Sequence, residues 1–313
     1  DGGTSSEASI GVSVTAQNDP PVVVATAGPL NYLEGSGAAP IDPGLTVSDV
    51  DSADLVGATV RIVSGFVSGQ DELLFNDANG ITGSYDPTTG VLTLSGTASV
   101  AFYEVGLKGV SYQNTSANPN TAPRLVIFAA NDGTMEGTAS RTVNVASVND
   151  PPVNTVPGSQ TTLEDAALVF ASAHSNAIGV SDVDAGSNAV QVELSASNGT
   201  LTLSATTGLT FTVGDGTLDT TMTFTGTLTE INAALNGLAF DPAPNYNGSA
   251  SVSITSNDQG SSGPGGAQND TDSVSITVTS VNDAPAGTDT AVTTNEDTAY
   301  TFASADFGFS DTN

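Results

Sequence analysis

An Asn-Asp element followed by proline occurs three times in this chain at nearly equal intervals. It reads Gln17-Asn18-Asp19-Pro20-Pro21, then Val148-Asn149-Asp150-Pro151-Pro152, then Val281-Asn282-Asp283-Ala284-Pro285. Asn18 to Asn149 is 131 residues and Asn149 to Asn282 is 133. So regular a period implies tandem modules, each long enough to bury its own core. The spacing divides the chain into the last part of a repeat (1–19), whole repeats at 20–149 and 150–283, and the opening of a further repeat (284–313). Asp1 stands 18 residues before Asp19, as Asp132 stands 18 before Asp150, so residues 1–19 match the end of a module. The element itself reads as the hinge between modules, and its prolines fix φ and stiffen it.

Within a module the apolar residues alternate in short runs rich in Val, Leu, Ile and Thr, separated by Gly, Asn, Asp and Pro. Thr59–Val63, Val91–Leu94 and Leu125–Phe128 are examples, and Ile10, Val12 and Val14 alternate likewise near the start. Period two with frequent turn residues is the signature of an all-β fold, here an antiparallel β-sandwich. In the second module Val192, Leu194 and Ala196, the turn Asn198-Gly199, and Leu201 and Leu203 read as a hairpin. One short helix per module is expected. Ser99 would cap the first, running to about Leu107 and ended by Gly109; Thr229 would cap the second, over Glu230 to Leu235, before Gly237. Each helix reads as a lid over an open sheet edge. A Gly-rich loop from Gln259 to Asn269 lengthens the second module by seven residues, reads as a mobile insertion, and carries no phosphate-cradling motif.

Charge narrows the function. Against 34 acidic residues stand only four basic ones, Arg61, Lys108, Arg124 and Arg141, for a net charge of −30. Such a surface repels phosphate backbones and anionic lipid, so nucleic acid and membrane insertion are not expected, and it attracts cations. No cysteine is present, which removes thiolate metal sites and disulfides. His174 is the only histidine and no Ser/His/Asp arrangement can be built on it, so the chain reads as non-catalytic. The absence of tryptophan leaves few stacking platforms for sugars.

Aligning the modules on the hinge exposes a recurring acidic set. Glu34, Glu164 and Glu296 follow the hinge by 13 to 15 residues. Next come Ser48-Asp49-Val50-Asp51, Ser181-Asp182-Val183-Asp184 and Ser310-Asp311, and each whole module has an Asn-Asp before its last strand, Asn131-Asp132 and Asn257-Asp258. If each strand runs the length of the sandwich, Asp49, Asp51 and Asp132 return beside the preceding hinge and Glu34 lies at the far end. The central hinge would then gather Glu34, Asn149, Asp150, Asp182, Asp184 and Asp258. Carboxylates so close repel one another unless compensated. Oxygen-only ligands without His or Cys suit a hard cation, and the number suits calcium better than magnesium. Ordinary turn chemistry is the alternative, since Asp, Asn and Ser cap turns.

The Asn-Asp-Pro hinge, the early Glu, the Asp-X-Asp, Asn131-Asp132-Gly133, the run Gly226–Leu235 and Tyr112–Ser116 together resemble bacterial cadherin-like, immunoglobulin-like repeats of large RTX-type surface adhesins. The resemblance covers essentially the whole chain. Neither the Asp-Arg-Glu element of animal cadherins nor the glycine-rich nonapeptide of RTX tails is present. The resemblance implies a linear array of cadherin-like sandwiches on the bacterial cell surface, with Ca2+ at each linker. It adds Asp1, Asn18, Asp19, Asp49, Asp51, Asp132, Glu164, Asn282, Asp283 and Asp311 as equivalent ligands at the flanking hinges. The function it implies is a calcium-rigidified spacer or stalk for adhesion and biofilm, with neighbouring repeats as the main partners. A structural subunit of an extracellular filament, sheath or matrix is the alternative, with other copies as partners; a calcium-dependent glycan-binding module is the second.

Overall fold

Residues 54–64 show how the alternation becomes structure. Leu55, Ala58, Val60 and Ile62 are buried while Arg61 and Val63 face water. The odd step from 55 to 58 is a bulge between Leu55 and Gly57, where the pairing register shifts. In the computed structural model, which describes residues 6–260 and 263–311, the chain forms two units, Asp1–Val148 and Asn149–Asn313. The first contains β1 (Val22–Val24), β2 (Leu30–Leu33), β3 (Ala39–Pro40), β4 (Thr46–Ser48), β5 (Asp54–Ser64), β6 (Asp71–Leu74), β7 (Thr82–Asp86), β8 (Val91–Ser99), α1 (Val100–Gly109), β9 (Ser111–Asn114), β10 (Arg124–Asn131) and β11 (Glu136–Ala146). A six-stranded sheet, β2-β11-β10-β5-β8-β7, faces a three-stranded sheet, β3-β9-β6, while β1 pairs with β4. Val60, Leu92 and Phe128 from the larger sheet and Leu73 and Tyr112 from the smaller share one core. This is a β-sandwich.

The second unit repeats it strand for strand. It contains β12 (Val153–Thr155), β13 (Gln160–Leu163), β14 (Leu168–Phe170), β15 (Gly179–Ser181), β16 (Val190–Ser197), β17 (Gly199–Thr202), β18 (Thr210–Val213), β19 (Thr221–Gly226), α2 (Leu228–Leu235), β20 (Leu238–Pro242), β21 (Gly248–Asn257) and β22 (Asn269–Thr279). The sheets are β13-β22-β21-β16-β19-β18, β14-β20-β17 and β12-β15. Its core unites Val192, Phe224 and Ile254 with Leu201 and Phe240.

Both helices cover sheet edges, and the covering is chemical. Val47 in β4 donates its amide to Glu104 Oε2 of α1 at 3.0 Å. In the second unit Asn232 of α2 accepts from Val180 N at 2.9 Å and donates to Val180 O at 2.8 Å. Backbone groups that a further strand would have paired are thereby satisfied. Ser99 caps α1 through Phe102 N. The helix ends at Gly109, two residues beyond Leu107, with Val110 as its C-cap. The second cap is Thr227, not Thr229. Thr227 N donates to Glu230 Oε2 at 2.9 Å and Glu230 N donates back to Thr227 Oγ1, a reciprocal capping box that starts α2 earlier.

Two other expectations change. Asn198 turns the chain at φ 56°, but β16 and β17 do not form a hairpin: β16 pairs with β19 and β21, while β17 pairs with β20 in the other sheet. Their alternation marks the inner faces of two facing sheets, which a hairpin pattern imitates. Ile10, Val12 and Val14 are exposed and residues 6–20 form no strand, because a strand requires a ladder partner and none of the described residues supplies one. Residues 284–311 likewise form no extended strand, only the 3-10 turn Ser304–Phe307 and one bridge, Ala286 with Ser310. That bridge matches the pairs Val22 with Ser48 and Val153 with Ser181, three residues after each hinge Asp.

Tyr85 gives the first unit an alkaline limit. Its hydroxyl donates to Asp71 O at 2.8 Å; burial, then the charges of Asp71, Glu72 and Asp86, push the phenol from 10.0 up to about 12. A group whose folded value is raised contributes stability that is complete below the unfolded value and lost as pH rises through the folded one. The first unit is therefore expected to lose stability between pH 10 and about 12, a loss that Tyr85→Phe should flatten in alkaline denaturation curves. An unchanged slope in the variant would assign the loss to another group.

Candidate metal centre

In the second unit the linker residues Asn149 and Asp150 are held by aspartates from two loops. Asn149 Nδ2 donates to Asp258 Oδ2 at 2.6 Å, and Asp150 N donates to Asp184 Oδ2 at 2.7 Å. Asp182 braces the same loop, its Oδ1 accepting from Asp184 N at 2.8 Å and Ala185 N at 3.0 Å. Asp258 lies at the end of β21 and the Asp182–Asp184 loop follows β15, so antiparallel strand order brings both to the end where the chain enters the unit.

The first unit reproduces these bonds with its own residues. Asn18 Nδ2 donates to Asp132 Oδ2 at 2.8 Å, Asp19 N to Asp51 Oδ2 at 3.0 Å, and Asp49 Oδ1 accepts from Asp51 N at 3.1 Å and Ser52 N at 2.8 Å. Gly137 belongs to the same end: a Cβ there would lie 1.6 Å from Pro21 O, so only glycine lets the entering chain pass this close.

Glu34 and Glu164 sit at the opposite end of their units and do the same thing. Glu34 Oε2 accepts from Val148 N at 2.8 Å, and Glu164 Oε1 from Val281 N at 2.6 Å. Each acid thus holds the residue immediately before an Asn-Asp pair. Asp1 falls outside the described residues. Asn282 donates Nδ2 to Asp283 O at 2.9 Å, as Asn18 does to Asp19 O at 3.3 Å. Asp311, next to the bridge at Ser310, is exposed.

The loop at 259–269 is anchored rather than loose in its described part, and nothing in its composition announced this. Asn149 N donates to Pro264 O at 3.0 Å, Asn149 Nδ2 to Gly266 O at 3.1 Å, and Gln268 Nε2 to Asn149 O. The additional residues wrap the linker asparagine, which is buried, whereas Asn18 is exposed. Gly265, packed against Asn149, has φ 134°, a backbone conformation that residues with a side chain rarely adopt.

The electrostatics follow from this crowding. Burial raises the Asp184 carboxyl, the amide of Asp150 opposes it, and the charges of Asp150, Asp182 and Asp258 push it further up. Burial pushes Asp258 up too, but donors from Gln268, Asn149 and Gly260 outweigh it and hold that carboxyl below its ordinary value. Asp132 is held well below the ordinary carboxylate range by the side chain of Asn18 and the amides of Met135 and Thr134. Among the described residues, no three His, Asp or Glu side chains are arranged to grip an ion as they stand. Many of their oxygens are turned onto N–H donors. Oδ2 of Asp49 and Oδ2 of Asp182, equivalent atoms in the two units, are by contrast buried without a hydrogen-bond partner.

No family model matches the chain. Over 114 residues, 34% of its length, the chain is 32% identical to halomucin of Haloquadratum walsbyi, and it spans 1% of that protein. Among solved structures it is similar to Drosophila N-cadherin EC1-4, at 16% identity and a TM-score of 0.35, covering 84% of this chain and 50% of that one. It is also similar to mouse cadherin-23 EC22-24, at 13% identity and a TM-score of 0.30, covering 86% of this chain and 69% of that one. No helix of the described residues is long and apolar enough to cross a membrane.

Proposed function

We propose that this chain is a non-catalytic spacer whose linkers are stiffened by calcium, in a tandem-repeat adhesin on a bacterial cell surface. The observation that carries the reading is the equivalent oxygen of Asp49 and Asp182, buried and unbonded in both units. A shielded carboxylate oxygen without a donor is costly, and a hard cation among oxygen ligands relieves that cost. The donor chemistry fits calcium: every candidate ligand is a carboxylate or an amide oxygen. In the second unit Asn149, Asp150, Asp182, Asp184 and Asp258 would supply the ligands. In the first unit Asn18, Asp19, Asp49, Asp51 and Asp132 would do so. Binding requires some of these oxygens to turn from their amides to the ion. Glu34 and Glu164, which hold Val148 and Val281, belong to the same scheme at the exits. Bound calcium supplies charge compensation, allowing several carboxylates to share a small volume.

Extracellular calcium modules bind at about 10⁻⁴–10⁻³ M. At millimolar calcium, roughly ten times the tighter value, each site adds on the order of 1.4 kcal/mol. That is small beside the folding of a sandwich but enough to order a short linker. Small-angle scattering in calcium and then in chelator tests the reading. The expected result is a longer, better-defined maximum dimension in calcium, with β content by circular dichroism unchanged. An unaltered maximum dimension would remove the stiffening role.

A further inference from the structure

We infer that β18 is an open sheet edge on which an extended, cationic segment of another protein docks as an added strand. The large sheets end at β7 in the first unit and at β18 in the second. Register makes the two strands equivalent. Gly83 lies opposite Leu94 and Phe211 opposite Phe224, and Leu94 and Phe224 stand two residues before Gly96-Thr97 and Gly226-Thr227. In an antiparallel ladder alternate residues turn their amide and carbonyl away from the partner. Gly83 is such a residue in β7: its amide donates to Asp77 Oδ1 at 2.8 Å. That carboxylate takes the donor an incoming strand would need, and so guards the edge.

β18 has no such guard. Asp77 stands six residues before Gly83, whereas Ala205 stands six before Phe211. Residues 209–214 carry no charge and no proline, and Thr210, Thr212 and Val213 are exposed. Threonine, phenylalanine and valine favour extended backbone. Other strand edges are treated differently: β6 carries Asp71 and Glu72, β3 ends in Pro40, and β17 is bridged at Leu201 to Asp219. The register of β18 shifts between Phe211 and Val213, which keeps the open ladder short. A partner's hold therefore has to draw on charge as well.

Carboxylates stand at both ends of the strand. Glu230 lies against Gly208 before it, and Asp219 lies against Gly214 after it, with Asp215 exposed alongside. Gly208 and Gly214 are six residues apart, about 20 Å along an extended chain. Residues 151–283 contain no lysine or arginine to neutralise these acids. A second copy of the chain is a poor occupant. Antiparallel pairing of β18 with itself would bring Glu230 of one copy toward Asp215 and Asp219 of the other, and like charges facing across a ladder are destabilising. A segment with lysine or arginine about six residues apart meets both ends. Its own amides and carbonyls pair with the edge, the mode by which extended peptides add to exposed sheets.

Fluorescence anisotropy on the full chain, run in chelator so that metal at the linkers plays no part, tests the edge. The probe is a labelled heptapeptide with lysine at each end and alternating threonine and valine between. Glutamate replaces lysine in a second probe, and alternate amides are methylated in a third. The lysine peptide should bind at one site per chain and slow hydrogen exchange across residues 209–213, and the glutamate peptide should not bind. Methylation should weaken binding roughly tenfold, the loss of two backbone bonds. Asp215→Asn, which keeps an acceptor for Thr217 N, should weaken it about threefold, the size of one exposed ion pair. Equal binding of the methylated peptide would reduce the contact to charge alone and overturn the added strand. Protection at β7 instead of β18 would overturn it too, as would a chain that dimerises with residues 209–213 protected in the absence of peptide.

Discussion

Asp71→Ala is expected to destabilise the first unit by about 3–5 kcal/mol while leaving the second unit's unfolding transition in place. Asp71 and Arg124 are 2% and 0% exposed, in a chain with only four basic residues. Arg124 Nη2 lies 3.0 Å from Asp71 Oδ1, with Nε 3.2 Å from both carboxylate oxygens. Tyr112 Oη and Asn114 Nδ2 donate to the same carboxylate at 2.5 and 2.8 Å, and Val67 N donates to Oδ2 at 2.8 Å. Removing Asp71 leaves a guanidinium inside the sandwich with only the carbonyls of Asn120 and Ala122 as partners, and an uncompensated buried charge is far costlier than a broken surface pair. Calorimetry should show one transition moving down on the order of 10 °C or more and the other unmoved. A change under about 1 kcal/mol would mean that water reaches Arg124.

The second unit solves the same place without charge. Strand register aligns Asp71, Tyr112 and Arg124 with Gly199, Phe240 and Ala250. A Cβ at Gly199 would come within 2.5 Å of the Phe240 ring, so the aromatic fills the volume that the ion pair takes in the first unit. Because a well-packed apolar substitute often matches a buried pair, carrying Asp71→Gly, Tyr112→Phe and Arg124→Ala together should recover part of what Asp71→Ala loses.

Local pattern made some of this legible and three-dimensional context supplied the rest. Two-residue alternation identifies strands, and the hinge period aligns one unit with the other, so the sandwich and the recurrence of Asp49, Asp51 and Asp132 with Asp182, Asp184 and Asp258 can be read from residues alone. Alternation reports which face of a strand is buried but not which sheet the strand joins, and for that reason Asn198-Gly199 imitates a hairpin. Thr227 is a better cap than Thr229 because Glu230 stands three residues beyond it, a reciprocity visible in the sequence once both ends of the bond are sought. The grip of Gln268 and Gly266 on Asn149 depends on a loop folding back over a residue more than a hundred positions away, and no local signal carries that. Arg124 stands out by scarcity in so acidic a chain, yet its partner Asp71 is one acid among 34.

Asp150→Ala with Asp182→Ala is expected to abolish the second unit's calcium heat in titration calorimetry, weakening that site roughly tenfold or more, since affinity in oxygen-ligand sites follows the number of charged ligands. Asp150 contributes charge beside Asp184, and Asp182 contributes the buried Oδ2. Asp182 also braces the loop through Oδ1, so Asp182→Asn is the control: it retains an acceptor for Asp184 N and Ala185 N while removing the charge. If Asp182→Asn binds as weakly as Asp182→Ala, charge is the cause; if it binds like the native chain, Asp182 acts only as a brace. The set around Asp49 is untouched by the double variant and provides an internal reference, so total stoichiometry should fall without vanishing. Undiminished binding in the double variant would mean that the chain's calcium sites lie away from the Asn-Asp linkers, and that the repeated aspartates serve only to tie each linker to its own sandwich.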